Sequence, residues 1–251
     1  MSRGTSPGTS RTTRRQNGAA LLVVLWVLAL LGTLLAGVAS LVTLQNRQAL
    51  WQSQQTRGLM AAEAGVALAV EALSRRDPRA RWQADGRVQL QRFDEAELRI
   101  RVRSERGKLD LNSALSGDFA RLLQACGAAV EPARSLGREL DRRRAQTTPV
   151  RMLEELGELP GMSQQLYQCA MPHLTVWSGE TRPLPELATP LLSRALNLPR
   201  AHGLDIQGGQ TFSITSRASL PSGHRSTVRV TLMLNPPKEG ARPYRVLRWQ
   251  E

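Results

Sequence analysis

The sequence is poor in cysteine, aromatic residues and acidic residues, and each shortage excludes a class of protein. Two cysteines in 251 residues cannot build a disulfide framework. Three Phe, two Tyr and five Trp are too few to interleave with basic groups as a stacking platform for single-stranded nucleic acid. The 21 acidic residues against 34 basic ones leave a net charge of +13 that is scattered along the chain. The basic excess therefore indicates no nucleic-acid partner.

Residues that carry catalytic chemistry are equally sparse. His173, His202 and His224 are far apart and have no neighbouring Cys or carboxylate at metal-ligand spacing. No nucleophile elbow, phosphate-binding loop or zinc-protease motif is present. The spacing of Cys126 and Cys169 excludes a zinc site, and the sequence leaves a single disulfide and two free buried thiols both open. We expect no enzyme activity, no cofactor and no metal.

One long stretch of the sequence carries no charge at all. No charged residue occurs between Arg15 and Arg47. In a helix, residues 19–44 would extend about 39 Å, which exceeds the roughly 30 Å of a bilayer core. The sequence predicts a transmembrane helix over 19–44. Because Arg14 and Arg15 precede it, the amino terminus is expected in the cytoplasm and the rest of the chain in the periplasm, on a bacterial inner membrane.

A cleaved secretory signal is the alternative interpretation of this stretch. Small residues at 37–39 would suit a signal peptidase, but the apolar run is longer than a signal core. Residues 45–73 contain no proline and are rich in helix formers. These features favour a helix that continues over 45–76, whose apolar positions at helical spacing pack on a globular domain: Val66, Ala69, Val70 and Leu73.

The start of the apolar helix resembles the processing signal of type IV pilins and pseudopilins. A basic leader ends in Gly18, and the uncharged helix begins at Ala19. The resemblance implies that a prepilin peptidase removes residues 1–18 between Gly18 and Ala19, and that the new terminus is methylated. Most of the family has Glu at the fifth position after this cut, whereas this sequence has Val23. A buried carboxylate is costly without a partner, so Val23 suits a subunit at a filament tip, with no subunit ahead of it.

Later segments predict an α+β fold. Residues 88–91 and 96–103 alternate apolar and polar residues, as do 212–218, 226–234 and 243–249. The segments at 119–128, 132–144 and 150–157 are typical of short helices with Ser or Thr caps. The predicted architecture is a long amino-terminal transmembrane helix on an antiparallel sheet, with an all-α insertion. Its expected domains are residues 86–112 with 178–251 for the pilin-like part, and 113–177 for the insertion.

Three further segments resemble the K-type minor pseudopilins of type II secretion. They are the Gly-Lys-Leu-Asp-Leu-Asn-Ser-Ala at 107–114, the Leu-Glu-Glu-Leu-Gly-Glu-Leu-Pro-Gly-Met at 153–162 and the Pro-Tyr-Arg-Val-Leu-Arg-Trp at 243–249. The resemblance implies a tip subunit that initiates the pseudopilus and supports secretion across the outer membrane. Implied partners are the I-type and J-type pseudopilins, the prepilin peptidase, the inner-membrane assembly platform and secreted proteins. The residues expected to pack against the helices of neighbouring subunits are Leu21, Leu22, Val24, Leu25 and Leu28. Relatives can bind calcium, but no acidic cluster of ligand spacing is present here.

Two other functions remain open. A minor pilin of a type IV pilus, used in adhesion or DNA uptake, would share the leader but would not need the helical insertion. The Pro-Gly turn at 160–161 also resembles a helix-hairpin-helix, whose turn amides hold a DNA phosphate. Glu154, Glu155 and Glu158 flank that turn and would repel a phosphodiester, so a simple turn between packed helices is the favoured interpretation.

Overall fold

A computed structural model describes residues 16–146, 149–199, 209–235 and 243–251. For residues 16–20 and 38–44 it describes the backbone alone. The chain divides into two compact units, Met1–Ser53 and Gln54–Glu251.

Helix α1 is Gln16–Ser74 and contributes to both units. Its sequence has no proline, and it ends shortly before Asp77 and Pro78, where a helix cannot continue. The amide of Trp82 donates to the Ala72 carbonyl at 3.2 Å, and Arg81 Nε donates to the Arg75 carbonyl at 2.9 Å. These bonds satisfy carbonyls at the helix end.

In the described part of the chain, no helix combines the length and the apolar character that a bilayer crossing requires. Residues 38–44 of the predicted 19–44 segment have side chains that the structure does not describe.

Five antiparallel strands form the sheet of the second unit and pair in the order Asp85–Phe93 (β1), Ala96–Ser104 (β2), Thr211–Ser219 (β5), Arg225–Leu234 (β6) and Tyr244–Gln250 (β7). Alternating residues are buried along β2 and β5, as the period-two pattern predicted, and the other alternating segments lie on β1, β6 and β7. The sheet is antiparallel, as expected.

The carboxyl-terminal part of α1 packs on one face of this sheet. The predicted apolar face is buried, with Val66 2% and Ala69 0% exposed, and it joins one hydrophobic cluster with Ile100, Ile214 and Val228 of the sheet. Packing of the long helix on an antiparallel sheet is thus confirmed for residues 54–74.

A second hydrophobic cluster holds the helices that lie between β2 and β5 in sequence. Leu122, Leu136, Leu156 and Leu192 are buried in it, and the cluster extends from Leu109 to Leu198 in sequence. Its helices are α2 Ser116–Ala125, α3 Val130–Ala145, α4 Gln164–Ala170 and α5 Pro190–Ala195, with a 3-10 helix at Leu153–Glu158. We call this set the helical layer.

The chain enters and leaves most of the helical layer at one place. Strand β3, Leu109–Asp110, pairs in parallel with β4, Leu174–Thr175, and Leu111 N donates to the Thr175 carbonyl at 2.8 Å. This two-stranded contact was not predicted.

Two local expectations for the helical layer were wrong. The helix expected over 150–157 is a 3-10 helix, Leu153–Glu158, whose preceding amides are held by the Glu155 carboxylate. No Ser or Thr side chain caps α2 or α3. The hydroxyl caps occur instead at Ser163 before α4 and at Thr189 before α5.

Candidate functional site

The first candidate site is the exposed apolar surface of α1. Its large apolar side chains are 49–74% exposed. They cover the whole circumference of the helix, which is the pattern of a helix surrounded by apolar material rather than one lying on a core. These residues, which we call the apolar helix surface, are Leu21, Leu22, Val23, Val24, Leu25, Trp26, Val27, Leu28, Leu30, Leu31, Leu34 and Leu35.

The predicted packing residues all belong to this surface. Leu21 is 65%, Leu22 59%, Val24 55%, Leu25 55% and Leu28 60% exposed, so each is available to another helix or to lipid.

The residues expected to govern processing and tip position lie on the same helix. Val23 is 61% exposed. Gly18 and Ala19 lie within α1, with side chains outside the described part. Their roles in processing and tip position stay predictions.

Small residues interrupt the apolar helix surface and leave room for a close neighbour. A Cβ added at Gly32 or at Gly37 would meet nothing within 4 Å. Thr33 Oγ1 donates to the Leu30 carbonyl at 2.8 Å, which satisfies its hydroxyl within the helix. Small residues of this kind allow apolar helices to approach closely without a hydrophobic driving force.

The 107–114 segment organises the junction between the sheet and the helical layer. Asp110 is 1% exposed, and its Oδ2 accepts from the amides of Ser178 and Gly179, both at 2.9 Å, and from Ser178 Oγ at 3.1 Å. The Asn112 side chain exchanges two hydrogen bonds with the backbone of Val150, at 2.8 and 2.9 Å. The polar residues of this motif thus fix two later loops.

A buried ion pair connects the same junction to the sheet. Glu105 is fully buried, and its Oε1 accepts from Lys108 Nζ at 2.6 Å. Ser213 on β5 donates to the same oxygen and accepts from Lys108 Nζ at 2.8 Å. Nothing in the sequence pattern distinguished this pair from solvent-exposed charges.

The two cysteines meet within the helical layer. Cys126, which follows α2, and Cys169 in α4 form a disulfide with their Cα atoms 5.8 Å apart. The bridge connects segments that are 43 residues apart in sequence.

The three arginines at 142–144 all have interaction partners within the helical layer. Arg142 pairs with Glu139, and Arg143 pairs with Glu155. Arg144 donates to the carbonyls of Leu111 and Ala114 at 2.7 and 2.8 Å, and burial lowers the pKa of its guanidinium. The run therefore stabilises the layer.

The Pro160–Gly161 segment is a tight turn between the 3-10 helix and α4. Gly161 has φ +91°, and Met162 N donates to the Leu159 carbonyl at 3.0 Å. Of the acidic residues before the turn, Glu154 pairs with Arg248 and Glu155 with Arg143. Carboxylates beside the turn disfavour a phosphate ligand.

Carboxylates in the described ranges do not form a group suited to a metal ion. No set of three or more His, Cys, Asp or Glu side chains is placed to hold a metal there. The buried Asp110 carboxylate spends its oxygens on amide and hydroxyl donors.

Comparison with known proteins bears on the fold. No protein-family model and no curated protein matches the sequence. The structure is similar to a chain in the crystal structure of the GspK-GspI-GspJ complex from the Type 2 Secretion System of enterotoxigenic Escherichia coli. The likeness has a TM-score of 0.57 and 13% sequence identity, and it covers 81% of this chain and 98% of that chain. The protein therefore shares its α+β fold with a chain of that complex.

Proposed function

We propose that this protein is a minor pseudopilin of a type II secretion system, of the K type, placed at the tip of the pseudopilus. It does not act as an enzyme. It assembles with the I-type and J-type pseudopilins, initiates the pseudopilus on the inner-membrane assembly platform and supports protein secretion. Residues 19–44 anchor it in the inner membrane, with the amino terminus in the cytoplasm and the folded domain in the periplasm.

The observation that carries the proposal is the combination found on α1. The apolar helix surface is exposed all round, while residues 61–73 of the same helix pack on the sheet of a domain with a pseudopilin-like fold. A helix with an exposed apolar end and a domain-bound end can lie in lipid beside other helices and still carry a folded domain.

The helical layer supports a pseudopilin over a minor pilin of a type IV pilus, because the latter would not need it. The ion pairs of Glu154 and Glu155 argue against a helix-hairpin-helix DNA-binding protein, since they place carboxylates beside the turn that would hold a phosphate.

Processing by a prepilin peptidase tests the leader. The full chain, co-expressed with that peptidase, is expected to gain a new amino terminus at Ala19 and to stay in the membrane fraction. Gly18→Val is expected to block the cut, whereas the matched change Gly8→Val within the leader leaves it intact. Intact mass and amino-terminal sequencing report the result. Cleavage after Ala39, or no cleavage, would contradict the pilin-like assignment.

If the chain lies at the tip, Val23→Glu should impair assembly whereas Val23→Leu should not. Val23→Glu places a carboxylate in the bilayer with no subunit ahead to pair with it, which costs about 2.5–3.5 kcal/mol. We expect this variant to lower the yield of complex with the I-type and J-type pseudopilins in detergent, whereas Val23→Leu does not. If Val23→Glu gave as much complex as the wild type, or more, the proposed position at the tip would be contradicted.

A further inference from the structure

One face of the sheet presents a row of arginines. Strand pairing places Arg99 directly opposite Arg217, and Arg101 in one cross-strand row with Thr215 and Arg229. Cross-strand neighbours project to the same side, and α1 packs on the other side, against Ile100 and Ile214. The arginine face, as we call it, consists of Arg99, Arg101, Arg103, Arg217 and Arg229.

Within the described ranges, the central arginines of this face have no carboxylate partner. Arg99, Arg101, Arg217 and Arg229 are exposed and form no ion pair among the described residues. Glu97 lies at one end of the row. On α3, by contrast, acidic residues one turn away pair with the arginines. Several arginines without an ion pair therefore share one face of the sheet.

The arrangement costs stability. Like charges directly opposite each other on a sheet destabilise it, and Arg99 and Arg217 are such a pair. Burial lowers the pKa of Arg103, and the neighbouring Arg101 charge lowers it further, against the opposing effect of Asp85. A sheet face that only needed to be solvated would carry charges of both signs. The grouping of arginines on this face therefore points to a function.

A cleft of about 1040 Å³ lies between this face and the helical layer. Arg101, Arg103 and Arg229 line its floor, and the wall opposite includes Tyr167 and Trp177. Lys108 also reaches the cleft, but its charge is neutralised by Glu105. The cleft thus offers guanidinium groups on one side and a mixed wall on the other, where Tyr167 and Trp177 are accompanied by Glu154, whose carboxylate is paired with Arg248.

We propose that the arginine face and its cleft bind an extended acidic polypeptide segment of a second protein. Alternate side chains of an extended segment repeat at roughly 6.6–6.8 Å, as do alternate arginines along β2, so carboxylates at every second position match them. Guanidinium groups bind carboxylates through paired hydrogen bonds. The intervening side chains contact the aromatic wall.

A polypeptide fits these features better than a lipid surface or a nucleic acid. A flat bilayer cannot enter a cleft that the helical layer encloses on the opposite side. Stacking of bases would require several aromatic residues between the arginines, and the sheet supplies threonine and serine there, at Thr215 and Ser213. The inference does not depend on assembly into a pseudopilus and goes beyond that proposed function.

Fluorescence anisotropy of a labelled peptide tests the site. The full chain in detergent micelles is titrated against a peptide of about eight residues with Glu at alternate positions, and against the same peptide with Gln for Glu. We expect binding of the Glu peptide that weakens as salt rises, and no binding of the Gln peptide. Arg101→Gln with Arg229→Gln is expected to weaken binding by about tenfold or more.

Matched variants separate this face from general charge and from misfolding. Arg134→Gln with Arg142→Gln removes the same charge from exposed ion pairs of α3 and should change the affinity by less than about twofold. Arg101→Lys with Arg229→Lys keeps the charge but loses the paired hydrogen bonds of guanidinium, so it should weaken binding by less than the Gln variant and more than the α3 variant. Equal losses in the α3 and sheet variants, or equal binding of the Glu and Gln peptides, would overturn the proposal.

Discussion

The contact between α1 and β5 predicts a strong interaction between Gly65 and Ser216. A Cβ built at Gly65 would lie 2.1 Å from Ser216 Oγ and 3.2 Å from Ser216 Cβ. Ser216 is fully buried, and its hydroxyl has no hydrogen-bond partner in the described part of the chain. The helix can approach the sheet this closely because residue 65 has no side chain.

Two opposing free-energy contributions determine how Gly65→Ala changes the stability of the protein. Gly65→Ala improves helix propensity by about 1 kcal/mol. The overlap with Ser216 forces a shift that costs roughly 1–3 kcal/mol, as overpacking does in a close-packed core. The single variant is therefore expected to lower the free energy of unfolding by up to about 2 kcal/mol. Ser216→Ala removes an unsatisfied buried hydroxyl and should be neutral or stabilising.

A double-mutant cycle measures the interaction. In the Ser216→Ala background, Gly65→Ala should become neutral or stabilising, which gives a coupling energy of about 1 kcal/mol or more. Urea unfolding of the full chain in mild detergent, followed by tryptophan fluorescence, supplies the four free energies. Gly117→Ala on α2, where an added Cβ meets nothing within 4 Å, serves as the control. The same effect of Gly65→Ala in both backgrounds would refute the close approach.

Three further predictions concern the helical layer and its junction. Replacing Cys126 and Cys169 together by Ala should lower the free energy of unfolding by about 4 kcal/mol, from loop closure over 43 residues, as measured by urea unfolding. Asp110→Ala leaves buried amides without an acceptor, so we expect a loss of about 1–3 kcal/mol and faster hydrogen exchange at Ser178. Burial, followed by nearby cationic charges, lowers the pKa of His173 below 6.5 in the folded protein. Folding therefore favours the neutral imidazole, and this stability is lost as pH falls below about 6.5. His173→Gln should flatten that part of the thermal-unfolding profile.

Each of these has an outcome that would contradict it. A disulfide variant with unchanged unfolding midpoint would mean that the helical layer does not depend on the bridge. Uniformly faster exchange in Asp110→Ala, rather than a local change near residue 178, would indicate general loss of packing. An identical pH profile for wild type and His173→Gln would show that His173 does not titrate differently in the folded state.

Much of the sheet could be predicted because apolar and polar residues alternate along several of its strands. Leu98, Ile100 and Val102 are all buried, as the alternation along 96–103 indicated. The apolar face of α1 around Val66 was visible for the same kind of reason, since its spacing follows the helical period. Regular elements with one buried face carry this signal in local sequence.

Local sequence could not predict contacts that depend on distant residues. Strands β3 and β4 have two residues each, too short for any periodicity. The acceptor role of Asp110 requires Ser178 and Gly179, which are brought close only by the fold. Arginines in alternation along β2 looked like a solvated face, and only strand register showed that Arg217 stands directly opposite Arg99.

The parallel contact between β3 and β4 gives the α2 to α4 part of the helical layer the character of an exchangeable module, while α5 joins the layer from later in the sequence. The entry of this part at Leu109 and its return at Leu174 lie side by side. Segments whose ends are close can be lengthened, shortened or replaced with little demand on the surrounding scaffold. Substitution of the 111–173 stretch by another stretch with adjacent ends should therefore leave the pairing of β1, β2, β5, β6 and β7 intact. Selection could then reshape one part of the protein's surface while the sheet that holds the long helix stays constant.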